Sequence, residues 1–139
     1  LIEQVRELLI ASGLPYIIEN VPQAPLIDPV TLCGTMFNLP LYRHRAFESN
    51  IALSAPEHGS HEPLCARNGY LPTAERPYMS IHGGRHSRAW VIVAAEAMGV
   101  SWMVDSDTKG SIRRVCESIP PAYARHLGAQ LLTHLGGAA

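Results

Sequence analysis

A glutamate stands at the end of one of the most apolar stretches of the chain. Residues 15–26 read PYIIENVPQAPL, so Glu19 follows two isoleucines and the chain then breaks at Pro22 and Pro25. A carboxylate that is half removed from water at the end of a strand can donate or share a proton near neutral pH. Glu19 is therefore a candidate general acid. The alternative is that it caps the next turn or pairs with an arginine.

A second candidate site is the stretch LYRHRAFE, which places two arginines two residues apart. If this stretch is a strand, Arg43 and Arg45 project from one face and His44 from the other, because side chains alternate along a strand. Adjacent guanidinium groups repel each other unless an anion or acceptor lies between them, so the pair indicates a clamp for a phosphate or a carbonyl group. The alternative is a pair of exposed charges on an edge strand.

The middle of the chain is rich in histidine. The spacing allows a zinc site made of His58, His61 and Cys65, with a fourth ligand from His82 or His86. Loops also collect histidines without binding metal, and we predict no metal here.

The stretch HGGRHSR follows in the same region. It offers Arg85 and Arg88 as contacts to phosphate groups, and the alternative is a solvated loop that leads into a helix.

The elements that must position these residues alternate along the chain. Apolar spacing predicts a first helix ended by Gly13, and YIIENV is typical of a buried parallel strand. TLCGTMF and YRHRAFES are possible strands, residues 54–84 are mostly loop, and a helix ended by Gly99 buries one side. A short helix over 110–117 and a last helix that begins near Pro121 follow. The predicted buried side consists of Trp90, Val91, Ala94, Ala95 and Met98. The fold class is α/β.

Composition sets the outer limits. The chain has 139 residues, 47% of them hydrophobic, and a formal net charge of −1, which predicts one globular domain over 1–139 and no overall attraction for nucleic acid or acidic lipid. No apolar run is long enough to span a membrane. Three cysteines without paired spacing indicate reduced thiols in the cytoplasm. The chain opens on Leu1 rather than Met, so we expect it to have been cut from something longer.

Three stretches in order carry a family resemblance. ENV at the end of a strand, RHRAFES some two dozen residues later, and ESIPPAYARHLGAQLL near the end resemble the later signature motifs of DNA cytosine-5 methyltransferases, in the compact form of phages and their hosts. The resemblance covers about 1–132 and is weakest between 55 and 88. It implies the C-terminal part of a Rossmann-like fold that uses S-adenosylmethionine. It also implies that 55–88 is a short irregular insertion where such enzymes recognise DNA, so Arg85 and Arg88 would contact DNA phosphates.

The resemblance also implies roles for individual residues. Glu19 matches the glutamate that hydrogen-bonds the ring nitrogen and amine of a flipped-out cytosine. Arg45 matches the arginine that contacts the cytosine carbonyl, and Arg43 the one near the nucleophile loop and phosphate. Leu41 stands where the family usually has glutamine. Further residues implied to lie at the cofactor side are Asn20, which would hold the loop after the strand, and Pro120 and Pro121 of the last motif.

Two parts of such an enzyme are missing from this sequence. The family's Gly-rich cofactor turn is absent, and none of Cys33, Cys65 and Cys116 follows a proline directly, as its nucleophile does. The resemblance implies double-stranded DNA as one partner. The missing parts imply an N-terminal methyltransferase half, in the same parent chain or in a separate subunit, as another. Self-association would also cover an exposed strand edge. The alternative function is a non-catalytic DNA-binding or assembly subunit.

Overall fold

A computed structural model describes residues 1–137, so the last two residues of the predicted domain 1–139 lie outside the description. It contains four α-helices, three β-strands and two short 3₁₀ turns among these residues. In chain order they are α1 (Ile2–Ala11), β1 (Ile17–Asn20), β2 (Val30–Leu32), a turn at Gly34–Phe37, β3 (Arg45–Ser49), α2 (Arg88–Met98), a turn at Ser101–Met103, α3 (Thr108–Glu117) and α4 (Pro121–His134).

The three strands form one antiparallel sheet in the order β1-β3-β2. In this sheet Glu19 lies opposite Phe47, and Leu32 lies opposite Arg45. The prediction of a buried parallel strand for YIIENV is therefore wrong: β1 pairs antiparallel with β3, and its residues are half-buried or exposed. The apolar run is continuous, but β1 is an edge strand, so among residues 1–137 it is covered by a neighbouring strand on one side only.

The sheet separates two helices. Phe47 packs against Tyr123 of α4 on one face, with ring centroids 6.3 Å apart. Glu48, the next residue of β3, projects from the opposite face, where Arg6 of α1 binds its carboxylate. Helices thus lie on both faces of this small antiparallel sheet.

The predicted helices are confirmed. α2 buries the five residues expected of it and ends at Gly99, whose φ of 72° is left-handed. α4 begins with Pro121 at its first position, where a missing N–H costs nothing. α3 begins at Thr108, two residues before the predicted start at 110.

The predicted strands in the motif region are shorter than expected. TLCGTMF is a strand only to Leu32 and then becomes a 3₁₀ turn, and YRHRAFES is a strand only from Arg45. Residues 54–84 are irregular, as predicted, apart from isolated bridges that pair Leu41 with Met79 and Cys65 with Tyr78. Leu41 and Met79 are fully buried with α2 and α3, so the irregular stretch is anchored to the core at this point.

Large apolar side chains remain exposed on α1. Leu8 is 73% exposed, Ile10 is 58% exposed, and the helix buries none of its residues. Among residues 1–137, no helix combines the length and apolar character needed to cross a membrane.

Candidate active site

Glu19 and Arg45 form an ion pair at one end of the sheet. Arg45 Nε lies 2.9 Å from Glu19 Oε1. Glu19 faces Phe47 across the β1–β3 ladder, and Arg45 is two residues from Phe47 on the same face, so the two side chains are diagonal neighbours. The side chain of Glu19 is 38% exposed and that of Arg45 is 17% exposed. The pair is thus open to solvent on the carboxylate side.

Arg43 lies apart from this pair, in the core. Its Nη1 donates to the Ile81 carbonyl at 2.7 Å, and its Nη2 donates to the carbonyls of Cys116 and Ser118 at 2.7 and 2.6 Å. The prediction that Arg43 and Arg45 project from one strand face is wrong, because β3 begins only at Arg45. Instead of forming a clamp with Arg45, Arg43 ties the segment before β3 to the end of α3.

Burial and electrostatics both act on the Arg43 guanidinium. Burial, and then repulsion from Arg45, lowers the pKa of Arg43 from its ordinary value to about 10. Its Nε has no hydrogen-bond partner among residues 1–137. The Tyr123 hydroxyl donates to the Arg43 carbonyl at 2.6 Å, so α4 also holds this residue in place.

The two arginines predicted to contact DNA differ in their surroundings. Arg88 is exposed but donates to the Asp105 carbonyl at 2.6 Å, so it fastens the start of α2 to the loop before α3. Arg85 lines an open groove of about 740 Å³. Lys109 and Arg113 of α3 line the same groove together with Glu117, so three basic groups and one acidic group face it and its net charge is basic.

The three residues implied to lie beside the cofactor are close to backbone or core. Asn20 Oδ1 accepts a hydrogen bond from the Val21 N–H at 2.8 Å, so Asn20 does hold the turn after β1. Pro120 is fully buried, and Pro121 is the half-buried first residue of α4. These residues therefore offer little free surface for S-adenosylmethionine.

The cysteines are free thiols in protected places. Burial raises the pKa of Cys65 and of Cys116, which disfavours the reactive thiolate. Cys33 is fully buried directly after β2.

A cluster of one thiol and three imidazoles lies beside the segment that contains Arg43 and Arg45. Cys33, His44, His58 and His61 bring one donor atom each to within 4.8 Å of one another. Burial, followed by the charges of His61 and His58, lowers the pKa of His44, and burial, followed by His58, lowers that of His61. The predicted spacing thus brings His58 and His61 together, whereas Cys65, His82 and His86 lie outside the cluster.

A buried ion pair was not predicted. Glu48 is 2% exposed; its Oε1 accepts from Arg6 Nε at 2.6 Å and its Oε2 from the Ile27 N–H at 2.9 Å. This pair connects α1, β3 and the loop between β1 and β2 that contains Ile27. One signal was available in the sequence: Glu48 follows Phe47 in a strand, so one of the two had to face away from α4.

The exposed Glu19–Arg45 pair combines a hydrogen-bond acceptor with a donor at the edge of the sheet. Such a pair can bind a planar ligand that carries both a donor and an acceptor on one edge. No protein-family model matches the chain, and neither the curated proteins nor the solved structures contain a match.

Proposed function

We propose that this chain is the C-terminal part of a DNA cytosine-5 methyltransferase with a Rossmann-like fold. The observation that carries the proposal is the ion pair between Glu19 and Arg45, at 2.9 Å, because these two residues were singled out by separate sequence motifs. A placement far apart, or on opposite faces of the sheet, would have removed the basis for the assignment.

The chemistry of cytosine fits this pair. Along one edge of the ring, the O2 atom accepts a hydrogen bond and the N4 amine donates one, with N3 between them. Arg45 is a donor suited to O2, and the Glu19 carboxyl group is suited to N4 and to N3. A proton that Glu19 takes up from solvent and donates to N3 makes carbon 6 more electrophilic, which is the activation that nucleophilic addition to the ring needs.

Under this proposal, a partner segment supplies the nucleophile and the binding site for the methyl donor. Cys65 and Cys116 have raised pKa values and Cys33 is fully buried, so these thiols are poorly suited to attack. The fit of S-adenosylmethionine to Asn20, Pro120 and Pro121 is poor, since one is bonded to backbone and another is fully buried. We therefore derive no step through the cofactor, and we assign its site to a partner segment.

The partner segment would bind a surface that consists of the exposed apolar residues of α1 and the outer edge of β1. Leu8 and Ile10 are largely exposed, and β1 has a strand on one side only among residues 1–137. An added strand on β1 would extend the sheet and cover its open edge, and apolar side chains of the same partner would cover Leu8 and Ile10. An N-terminal methyltransferase half is the occupant that we propose, and a second copy of the chain is the alternative.

The basic groove supports contact with double-stranded DNA. Arg85, Lys109 and Arg113 line it together, and clustered positive groups are what phosphate contacts require. The groove alone also favours a second function, namely a DNA-binding subunit without catalysis. For either function we propose the cytoplasm of a bacterial or phage-infected cell, where the three cysteines stay reduced.

The test is methylation by the longest polypeptide or complex that contains this chain. DNA is incubated with S-adenosylmethionine, digested to nucleosides and analysed by mass spectrometry for 5-methylcytosine. Glu19→Gln keeps the shape of the side chain and removes its acid, so we expect a loss of methyl transfer of at least about a hundredfold with DNA affinity nearly unchanged. Glu96→Gln, on the exposed side of α2, is the control and should match the wild type.

Two outcomes decide between the functions. Methylation that depends on Glu19 supports the enzyme. Salt-dependent DNA binding with no 5-methylcytosine from any assembly supports the non-catalytic subunit, and full activity of Glu19→Gln would remove the acid role.

A further inference from the structure

The four-residue Cys–His cluster has the dimensions of a metal centre. Cys33 Sγ lies 3.5 Å from His61 Nε2, and His61 Nε2 lies 3.1 Å from His58 Nε2. Around a tetrahedral zinc ion with ordinary bond lengths, two nitrogen ligands are about 3.4 Å apart and a sulfur and a nitrogen about 3.5 Å apart. The observed separations are within a few tenths of an ångström of these values. All four donor atoms lie within 4.8 Å of one another, so small side-chain rotations bring them to one ion.

The fold builds half of this cluster from the β2–β3 ladder. The last paired residues are Leu32 and Arg45, so Cys33 and His44 occupy the next position, one step beyond the ladder. Residues opposite each other in an antiparallel pair have neighbouring side chains. The thiol and the first imidazole are therefore brought together by backbone pairing.

The irregular segment supplies the other half. His61 stacks on the ring of Tyr42, with ring centroids 4.0 Å apart. The Tyr42 hydroxyl donates to the Pro63 carbonyl at 2.6 Å, so Tyr42 holds both the ring and the backbone of this segment. His58 and His61 are exposed, while Cys33 is buried, so the cluster is open on the side of the irregular segment.

We propose that Cys33, His44, His58 and His61 bind a zinc ion that fastens the irregular segment to the β2–β3 ladder. One thiolate and three imidazoles suit zinc, whereas magnesium and calcium prefer oxygen ligands. Binding releases the thiol proton of Cys33 to solvent and fills four ligand positions, so the ion has a structural role. This centre differs from the absence of metal that we expected from the sequence, and it uses Cys33 and His44 in place of Cys65. It does not depend on the proposed methyltransferase function.

A zinc ion bound to His44 would also act on the backbone between the two arginines. His44 lies between Arg43, which is fixed in the core, and Arg45, which pairs with Glu19. A metal bond to His44 fixes the backbone between them. We therefore expect the zinc to stabilise both the segment around 58–61 and the start of β3.

Metal analysis of the full chain tests the proposal. After gel filtration in metal-free buffer, we expect about one zinc ion per chain by mass spectrometry, as a four-ligand site predicts. Cobalt(II) in its place should give the intense visible bands of a tetrahedral ion and a thiolate-to-cobalt band in the near ultraviolet. Cys33→Ser should remove the thiolate band.

Matched variants locate the site. His61→Ala should weaken zinc binding by at least about tenfold, since even changes next to metal ligands cost that much. His61 is exposed, so this variant is expected to keep its fold, which circular dichroism checks. Cys65 and His82 lie outside the cluster, so the variants Cys65→Ser and His82→Ala should keep the metal. A folded wild type without bound zinc and with an octahedral cobalt spectrum would overturn the proposal. Loss of zinc in Cys65→Ser with retention in His61→Ala would do the same.

Discussion

Replacement of Arg43 by methionine tests whether this arginine is a structural brace. Methionine is similar in length and apolar, so it fills the space of the side chain while removing every donor. The change leaves the carbonyls of Ile81, Cys116 and Ser118 without the guanidinium that they share. It therefore separates the segment before β3 from the end of α3 without emptying the core.

Two opposing terms set the magnitude. Hydrogen bonds from a charged donor contribute about 2 kcal/mol each, so three of them stabilise the fold by about 6 kcal/mol. The charge has a cost, because burial and then repulsion from Arg45 lower the pKa of Arg43 from its ordinary value to about 10, which corresponds to about 3 kcal/mol. We therefore expect Arg43→Met to lower the free energy of unfolding by about 3 kcal/mol. In a chain of this length that corresponds to a fall in the melting temperature of about 10 °C.

Thermal unfolding followed by circular dichroism at neutral pH measures the change. Arg125→Met, at an exposed position of α4, makes the same chemical substitution without a buried partner and should alter stability by less than about 0.5 kcal/mol. If the two variants melt together with the wild type, the carbonyls around Arg43 reach water in the native state and the brace is wrong. A fall for Arg43→Met alone supports it.

Two further predictions concern stability. The hydrogen bond from Arg6 is the main cause that lowers the pKa of Glu48 below its ordinary 4.5, so its stabilisation is complete above that pH and is lost as pH falls through the lower folded pKa. Glu48→Gln should therefore flatten the fall of the melting temperature measured between neutral pH and the acid side of 4.5, and an unchanged slope would contradict the role of the pair. Gly34→Ala places a Cβ against the backbone carbonyl oxygen of the buried Leu41 and 2.8 Å from its Cγ, and should cost about 1–3 kcal/mol by chemical denaturation. Gly128→Ala, in open space on α4, should gain about 0.5–1 kcal/mol, and equal effects of the two would refute the packing argument.

The helices could be predicted because their signals are local. α2 shows its buried side through the spacing of its apolar residues, and Gly99 ends it through its own backbone preference. The strand β1 was misjudged for the opposite reason. An apolar run predicts that a strand is buried. Which strands pair with it, and in which direction, depends on residues far along the chain. Here β3 is that neighbour, and it runs antiparallel.

The candidate site, too, could be predicted only in part from the sequence. Glu19 and Arg45 were singled out from short motifs, and the register of β1 and β3 places them side by side. The environment of Arg43 could not be foreseen, because its acceptors are carbonyl groups 38 to 75 residues away. Any residue type provides a carbonyl group, so the sequence carries no mark of them.

The segment from 41 to 48 draws together contacts that are separate in sequence. Leu41 and Arg43 are held by the core around α2 and α3, His44 belongs to the Cys–His cluster, and Glu48 is paired with α1. Arg45 lies within this fixed segment, yet its own partner is the half-exposed Glu19. A side chain whose neighbours are each held by a different part of the fold is pre-organised at little further entropic cost. Under the proposed function, the pair would present a donor and an acceptor to its ligand in a constant geometry. Loss of Arg43, or of residues of the Cys–His cluster, should then loosen the pair without a change in the pair itself.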